Sequence, residues 1–234
     1  PYGLEFLADA LTVRGLADEL DAMSFHVYTA DDTRRPIYIR QLRTLLAGTG
    51  RSIPLIQGEA GAQSRSDGNG AMRGYAWTPE RQRTYLLRGI LHDLAAGLPL
   101  TSYFSTLDMI EALNGVVADR SSYLDYGYFG VLSADFDEKG LSTGSYSAKP
   151  SYTALGNLLS VFSDGFEAAE LPAERLILPS PRLGGTDCAD EGLIRYGFRK
   201  PNGAWGLAYW NPTPLLTTAY EGTVSFRLPC SDPT

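Results

Sequence analysis

One carboxylate, that of Glu59, closes a short apolar run and is flanked by glycines. The run Ile-Pro-Leu-Ile at 53–56 continues into Gln-Gly-Glu-Ala-Gly at 57–61. Continuously apolar runs are typical of strands in parallel sheets, because both faces of such sheets are covered. The pattern therefore predicts a buried strand that delivers Glu59 to a cleft, where an ionised carboxylate can serve as a nucleophile or a base.

Two other predicted strands also end in polar or aromatic side chains. His26 and Tyr28 close the first strand, and Tyr103 and Asp108 end or follow the third. Alternating strands and helices predict a parallel α/β fold, in which right-handed crossovers place all the strand ends at one edge. That edge is where ligands bind, both in open sheets and in barrels. We therefore expect one site with side chains from all three strands: His26, Tyr28, Glu59, Tyr103 and Asp108.

Aromatic residues near the same edge suit a carbohydrate ligand, because aromatic rings stack on the apolar faces of sugars. The candidates are Tyr28, Trp77, Tyr103 and Phe104. Each has a structural alternative, since such rings are also typical of a protein core and Trp77 can pack the loop over the next helix. Asp108 likewise either contacts a ligand or caps a turn.

Glu59 and His26 also have two interpretations each. A glutamate at a strand end can be structural, accepting hydrogen bonds from the backbone or from an arginine, and a half-buried histidine can be held in the same way. In the functional interpretation, His26 or Tyr28 donates a hydrogen bond that keeps Glu59 charged and oriented. Gly58 and Gly61 add little bulk beside Glu59, which suits the close approach of a sugar ring.

The elements that position these residues alternate along the first two thirds of the chain. Hydrophobic periodicity predicts helices near 4–20, 40–46, 79–96 and 151–162, and strands near 21–28, 53–56 and 98–104. Thr78 and Pro79 mark the start of the third helix, as an N-cap residue and a first-turn proline. The stretch 109–147 has no periodic pattern and is expected to be irregular.

The character of the sequence changes after residue 163. Prolines and glycines punctuate 164–234, and three short apolar and aromatic runs follow, with the hairpin signal Asn202-Gly203 between the first two. We interpret 164–234 as an antiparallel β module, one part of a sandwich. Residues 1–163 then form a separate α/β domain.

Composition excludes several classes of partner. The formal net charge is -7 and there is no Lys/Arg cluster, so neither nucleic acid nor an anionic membrane is an expected partner. No window of roughly 18 apolar residues predicts a membrane span.

Two histidines exclude a His-rich metal site, two cysteines are too few for a four-ligand zinc site, and no cofactor is expected. Cys188 and Cys230 either form one disulfide or remain thiols. The charged residues Asp31, Asp32, Arg34 and Arg35 are expected to form a solvated loop or, since they follow Tyr28 closely, to rim the cleft.

Five segments, taken in order, resemble a known enzyme family. They are Ser-Phe-His-Val-Tyr at 24–28, Gln-Gly-Glu at 57–59, Ser-Tyr-Phe-Ser-Thr-Leu-Asp at 102–108, Tyr-Phe-Gly-Val-Leu at 128–132 and Ala-Lys-Pro-Ser-Tyr-Thr-Ala-Leu at 148–155. Their order and spacing are similar to the last three strands of a clan A glycoside hydrolase barrel, most similar to family 39, the β-xylosidase and α-L-iduronidase group. The resemblance covers residues 4–163 and implies the C-terminal part of a (β/α)8 TIM barrel.

The resemblance implies roles for several residues. In the family, the glutamate that ends strand seven is the nucleophile of a retaining mechanism, and Glu59 matches it. His26 and Tyr28 match the strand-six residues that line the sugar subsite. The family's strand eight brings a tryptophan platform, whereas Tyr103 and Phe104 stand at the matching positions here.

The second carboxyl group of a retaining glycosidase is missing from the match. In the family it is a glutamate after asparagine on strand four, and this sequence contains no Asn-Glu dipeptide. Three strands of eight are present, and an open three-stranded sheet would expose its edges. We therefore expect the C-terminal part of a retaining glycoside hydrolase, with an oligo- or polysaccharide as substrate and the N-terminal remainder of the barrel as partner.

Two other classes of protein stay open. A non-catalytic carbohydrate-binding barrel fragment or scaffold would keep the barrel edge without the second carboxylate. A different barrel enzyme, such as a lyase or an aldolase-like enzyme, would use Glu59 as a general base, although no strand-end lysine is visible for a Schiff base. The β module favours secretion, by analogy alone.

Overall fold

The protein is a mixed α/β structure with a three-stranded parallel sheet and several antiparallel sheets. The computed structural model describes residues 3–68, 71–112, 123–170, 174–176, 179–180, 185–186, 193–212, 214–216 and 224–227. Cys188 and Cys230 lie outside these ranges, so the choice between a disulfide and free thiols stays a prediction.

The helices lie close to where periodicity predicts them. They are α1 (Leu4–Ala8), α2 (Arg35–Ala47), α3 (Pro79–Ala95) and α4 (Pro150–Phe162). A π-helical segment, Asp9–Val13, continues α1, and Gly15 then interrupts the predicted helix because its φ is +72°. A 3-10 turn (Leu16–Glu19) follows, and another (Asp32–Arg34) leads into α2. The Thr78 side chain caps α3 by accepting a hydrogen bond from the backbone N–H of Arg81, which confirms the predicted helix start.

Three parallel strands form the sheet that carries the predicted site. They are β1 (Met23–His26), β2 (Leu55–Ala60) and β3 (Thr101–Tyr103), in the order β1-β2-β3. The register places Met23 opposite Leu55 and then shifts by one residue, so that His26 pairs with Glu59. The parallel direction confirms the prediction that the three strand ends share one edge.

The two faces of this sheet differ in character. Side chains on one face pack beneath the helices in the main hydrophobic core, which contains Leu11, Ala17, Met23, Phe25, Val27, Ile39, Leu42, Leu46, Ile53, Leu55 and Leu98. On the other face, Ser24, His26 and Ser102 are exposed. Within the part of the chain that the structure describes, the helical layer therefore covers one side of the sheet only.

The expectation that 109–147 is irregular is wrong. Two antiparallel strand pairs occupy it, β4 (Met109–Ala112) with β5 (Tyr123–Gly127) and β6 (Leu132–Phe136) with β7 (Ser142–Ala148). Every residue of β7 is exposed. Its sequence, Ser-Thr-Gly-Ser-Tyr-Ser-Ala, therefore lacks the apolar alternation that marks a half-buried strand.

The C-terminal strands are antiparallel, as predicted. They are β8 (Glu167–Ala169), β9 (Glu174–Leu176), β10 (Pro179–Ser180), β11 (Gly185–Thr186), β12 (Ile194–Arg199), β13 (Trp205–Trp210) and β14 (Ser225–Arg227). They form the sheet β13-β12-β8 and the pairs β14-β9 and β10-β11. The hairpin predicted at Asn202-Gly203 joins β12 to β13, with Gly203 at a φ of +85°. Phe198 of β12 is buried against Phe162 and Phe166, which ties this sheet to α4.

Candidate functional site

Glu59 lies at the carboxyl edge of the parallel sheet with side chains from β1 and the loop that follows it. The Tyr28 hydroxyl donates a hydrogen bond of 2.8 Å to Oε1 of Glu59. Nδ1 of His26 lies 3.9 Å from Oε2 of the same carboxylate. The Glu59 side chain is 35% exposed, so the carboxylate is held on one side and open to solvent on the other. The structure thus brings His26, Tyr28 and Glu59 together.

The Glu59 backbone is held by two hydrogen bonds, one to the Gln57 side chain and one from Val27. The buried Gln57 side chain accepts a hydrogen bond of 3.1 Å from the backbone N–H of Glu59 through Oε1. The Val27 N–H donates to the Glu59 carbonyl at 3.2 Å. Sequence reasoning did not single out Gln57 as a positioning residue, although an amide directly after an apolar run and two residues before a candidate nucleophile is a signal that the sequence contains.

The two glycines beside Glu59 serve the packing of the sheet. A Cβ atom on Gly58 would lie 2.0 Å from the Ser24 hydroxyl, and one on Gly61 would lie 1.9 Å from the Phe104 carbonyl oxygen. The space that these glycines leave is therefore filled by the neighbouring strands. These contacts explain why both positions are glycine, and the interpretation that low bulk beside Glu59 suits the approach of a sugar ring stays a prediction.

Tyr28 is a fixed proton donor. Burial, and then the hydrogen bond to Glu59 and its negative charge, raise the pKa of Tyr28 well above the ordinary value. The phenol therefore stays protonated over the physiological range and can only donate to the carboxylate. Its ring contacts Phe129 edge-on, with 6.0 Å between the ring centroids, and the Phe104 ring also contacts Phe129, at 5.8 Å. The sequence analysis did not assign a site role to Phe129. In the structure its ring lies between two of the candidate aromatic residues, Tyr28 and Phe104, and contacts both.

Tyr103 faces a different part of the edge. Its hydroxyl donates to the Ala62 carbonyl at 3.4 Å, and burial raises the pKa of the phenol. Tyr103 and Phe104 thus add aromatic side chains to the same sheet edge at the end of β3. In the part of the chain that the structure describes, neither forms a hydrogen bond or an ion pair with Glu59.

Asp108 lies in a separate buried network. Its carboxylate accepts a hydrogen bond of 2.5 Å from Nζ of Lys149 and one of 2.9 Å from the Gly130 N–H. Lys149 also donates to the Ser64 hydroxyl at 2.8 Å. Burial raises the pKa of Asp108 despite the nearby ammonium, and burial lowers the pKa of Lys149. The structure therefore places Asp108 at a junction between the end of β3, the start of α4 and the loop after β2.

Trp77 is also placed inside the protein. It is 3% exposed, its Nε1 donates to the Met72 carbonyl at 2.8 Å, and its ring meets Tyr85 edge-on. This position corresponds to the structural alternative, in which Trp77 packs the loop over α3.

The charged residues at 31–35 are only partly a solvated loop, so that expectation is wrong in two places. Asp32 and Arg35 are 5% and 3% exposed. Arg35 forms a buried bidentate ion pair with Asp93, in which 2.7 Å separates Nε from Oδ1. The Thr101 hydroxyl donates a hydrogen bond of 3.0 Å to the same carboxylate. The pairing partners lie on α3 and β3, far away in sequence, which is why the local charge pattern did not reveal them.

Chemically, the edge offers one accessible carboxylate with a fixed hydroxyl donor and a neighbouring imidazole. Within the described ranges, no group of three or more His, Cys, Asp or Glu side chains is arranged to hold a metal ion. None of the described helices is both long and apolar enough to cross a bilayer. No protein-family model matches the chain, and no curated protein is significantly similar to it.

Proposed function

We propose that this chain is part of a retaining glycoside hydrolase that acts on an oligo- or polysaccharide, with Glu59 as the nucleophile. The observation that carries the proposal is the 2.8 Å hydrogen bond from Tyr28 to a half-exposed carboxylate at the carboxyl edge of a parallel sheet. A carboxylate nucleophile must be ionised and must face the ligand. One oxygen bound by a permanent donor, with the other directed toward His26 and solvent, suits both demands.

The reaction would proceed by two displacements. A Glu59 oxygen forms a bond to the anomeric carbon while the glycosidic carbon–oxygen bond breaks, and a carboxylic acid supplied elsewhere in the enzyme protonates the leaving oxygen. Water then attacks the glycosyl ester, the same group takes its proton, and the Glu59 carboxylate is released. Tyr28 holds Glu59 in place and returns to the same hydrogen bond after each turnover.

We place the three-stranded sheet within a (β/α)8 barrel whose remaining strands come from a preceding segment. Parallel sheets are normally covered on both faces, whereas one face here exposes Ser24, His26 and Ser102. The helical layer is also open at both flanks, where large apolar side chains are exposed: Phe6 on α1, Val13 in the π-helical segment after it, and Leu159 and Val161 on α4. Added strands and helices on these surfaces would close the barrel and bring the second carboxyl group opposite Glu59.

We assign the C-terminal strands to a β-sandwich. Tyr209 of β13 contacts Phe226 of β14 with 5.0 Å between the ring centroids. The antiparallel sheet β13-β12-β8 and the β14-β9 pair therefore meet through aromatic side chains. Contacts between two antiparallel sheets are the basis of sandwich packing.

The variant Glu59→Ala tests the proposed role of the carboxylate. In the full-length gene product, we expect it to abolish release of dinitrophenol from an activated aryl glycoside, and we expect azide to restore release by forming a glycosyl azide of inverted anomeric configuration. A matched control is Glu80→Ala, which removes an exposed glutamate from the first turn of α3. Full activity of Glu59→Ala, or no activity of the wild type across a panel of sugars, would contradict the proposal, and the second result favours a non-catalytic carbohydrate-binding protein.

A further inference from the structure

We propose that the β module positions the loop that carries Tyr28, and so takes part in building the candidate site. The loop spans residues 27–34 between β1 and α2 and is called the site loop below. Trp210 at the end of β13 and Leu216 beyond it act as positioning residues for this loop. The catalytic consequence of the positioning rests on the proposed function, whereas the positioning itself does not.

The first contact is made through Asp32 in the site loop. The Trp210 indole N–H donates to Oδ2 of Asp32 at 3.2 Å, from 178 residues away in the sequence. Arg88 and His92 of α3 approach the same carboxylate at 3.3 and 3.6 Å. Burial alone would raise the pKa of Asp32, but its interactions with His92 and Arg88 outweigh burial and lower it. Asp32 is therefore an ionised anchor, held jointly by α3 and the β module.

The partners of Asp32 are themselves fixed by the β module. Nδ1 of His92 shares a 2.7 Å hydrogen bond with the Tyr196 hydroxyl of β12, and the His92 ring meets Trp210 edge-on at 5.1 Å. Arg88 donates to the Asn211 carbonyl at 3.1 Å. The histidine is 1% exposed, so this junction excludes solvent from the base of the site loop.

A second, apolar contact lies nearer to Tyr28. Ala30 of the site loop packs against the buried cluster that contains Trp77, Tyr85 and Leu216. Leu216 belongs to the segment that follows β13 and is 7% exposed. The site loop is thus held at Tyr28 by Glu59, at Ala30 by an apolar cluster and at Asp32 by charged groups, and the β module contributes to the last two contacts.

This arrangement gives the β module a specific task. A side chain that orients a nucleophile needs a backbone with little freedom, because small displacements of positioned groups lower reaction rates strongly. Two of these contacts, those at Ala30 and at Asp32, involve residues beyond 209. Removing the Trp210 donor or the Leu216 side chain should therefore loosen the site loop before it disturbs the rest of the sheet.

Hydrogen–deuterium exchange on the full chain tests the positioning without any substrate. The variants are Trp210→Phe, which keeps an aromatic side chain of smaller size and removes the indole N–H donor, and Leu216→Ala. Trp205→Phe is the matched control, since Trp205 is exposed on the same strand. We expect exchange within 27–34 to become at least about tenfold faster in both variants, as loss of a hydrogen bond to a charged group or of a buried side chain implies. Exchange in β2 and in the control should stay at the wild-type rate.

Unchanged exchange at 27–34 in both variants, with the fold intact by circular dichroism, would overturn the positioning proposal. Faster exchange at 27–34 and β2 together in Trp210→Phe would also overturn it, since that is general destabilisation. In the full-length gene product, the catalytic part is supported if Trp210→Phe lowers kcat about tenfold with KM nearly unchanged. An unchanged kcat with a loosened site loop would overturn that part alone.

Discussion

Replacement of Lys149 by methionine isolates a buried ion pair that joins three parts of the domain. The side chains of Lys149 and Asp108 are 9% and 6% exposed, and 2.5 Å separates Nζ from Oδ1. Methionine fills much of the same volume but leaves the Asp108 carboxylate buried with neutral backbone donors, the N–H groups of Gly130 and Ala134. Removing one partner of a buried pair costs about 3–5 kcal/mol. We expect a loss of about 3 kcal/mol in the free energy of unfolding at pH 7, because the backbone donors remain.

The same variant has a pH dependence whose sign follows from Asp108. Burial raises the pKa of this carboxyl above its ordinary value of 3.8, even with Lys149 present. A raised pKa in the folded state means that the ionised form costs stability above that pKa, and that the cost vanishes below the ordinary value. Without the ammonium the cost of ionised Asp108 grows. The deficit of Lys149→Met should therefore be largest near pH 7 and shrink as the pH falls toward 4.

Urea denaturation at pH 7 and at pH 4.5 measures both effects. The double variant Lys149→Met with Asp108→Asn should recover most of the loss at pH 7, since the neutral amide needs no cation. Lys200→Met is the control, because the Lys200–Asp164 pair lies at the surface, and we expect a much smaller loss. A deficit below about 1 kcal/mol, or one that is equal at both pH values, would refute the reasoning from burial.

Three further variants follow from the contacts around the site and α4. Tyr28→Phe removes the donor to Glu59, and we expect kcat/KM of the full-length gene product to fall about 10- to 100-fold, as loss of a hydrogen bond to a charged group implies; an unchanged value would show that the donor is dispensable. Gly61→Ala brings a Cβ to 1.9 Å from the Phe104 carbonyl oxygen, so thermal unfolding should show a loss of about 1–3 kcal/mol. Gly156→Ala in α4 meets nothing within 4 Å and should stabilise by about 0.5–1 kcal/mol; equal effects of the two alanines would contradict the packing described at Gly61.

Local sequence signals were sufficient for much of the fold. Thr78 and Pro79 located the start of α3, and Asn202-Gly203 located the hairpin between β12 and β13, because caps and tight turns depend on neighbouring residues. The alternation of strands and helices was enough for the parallel sheet. The exposed strand β7 escaped prediction because no buried face imposes an apolar pattern on it.

The candidate site was predictable only in part. The meeting of His26, Tyr28 and Glu59 follows from parallel strand ends, which topology places together. The pairing of Asp108 with Lys149 and of Asp32 with Trp210 depends on tertiary packing across 41 and 178 residues, and neither spacing leaves a local trace. A charged residue in a loop looks solvated until its partner is known.

Mass spectrometry after incubation with an activated 2-deoxy-2-fluoro glycoside tests the proposed nucleophile most directly. The fluorine slows both displacements, and the good leaving group restores the rate of the first one only, so the glycosyl ester accumulates. We expect the full-length gene product to gain one 2-fluoroglycosyl group on the peptide that contains Glu59, and the Glu59→Gln variant to gain none. An adduct on any other residue, or equal labelling of Glu59→Gln, would contradict the assignment of Glu59 as the nucleophile.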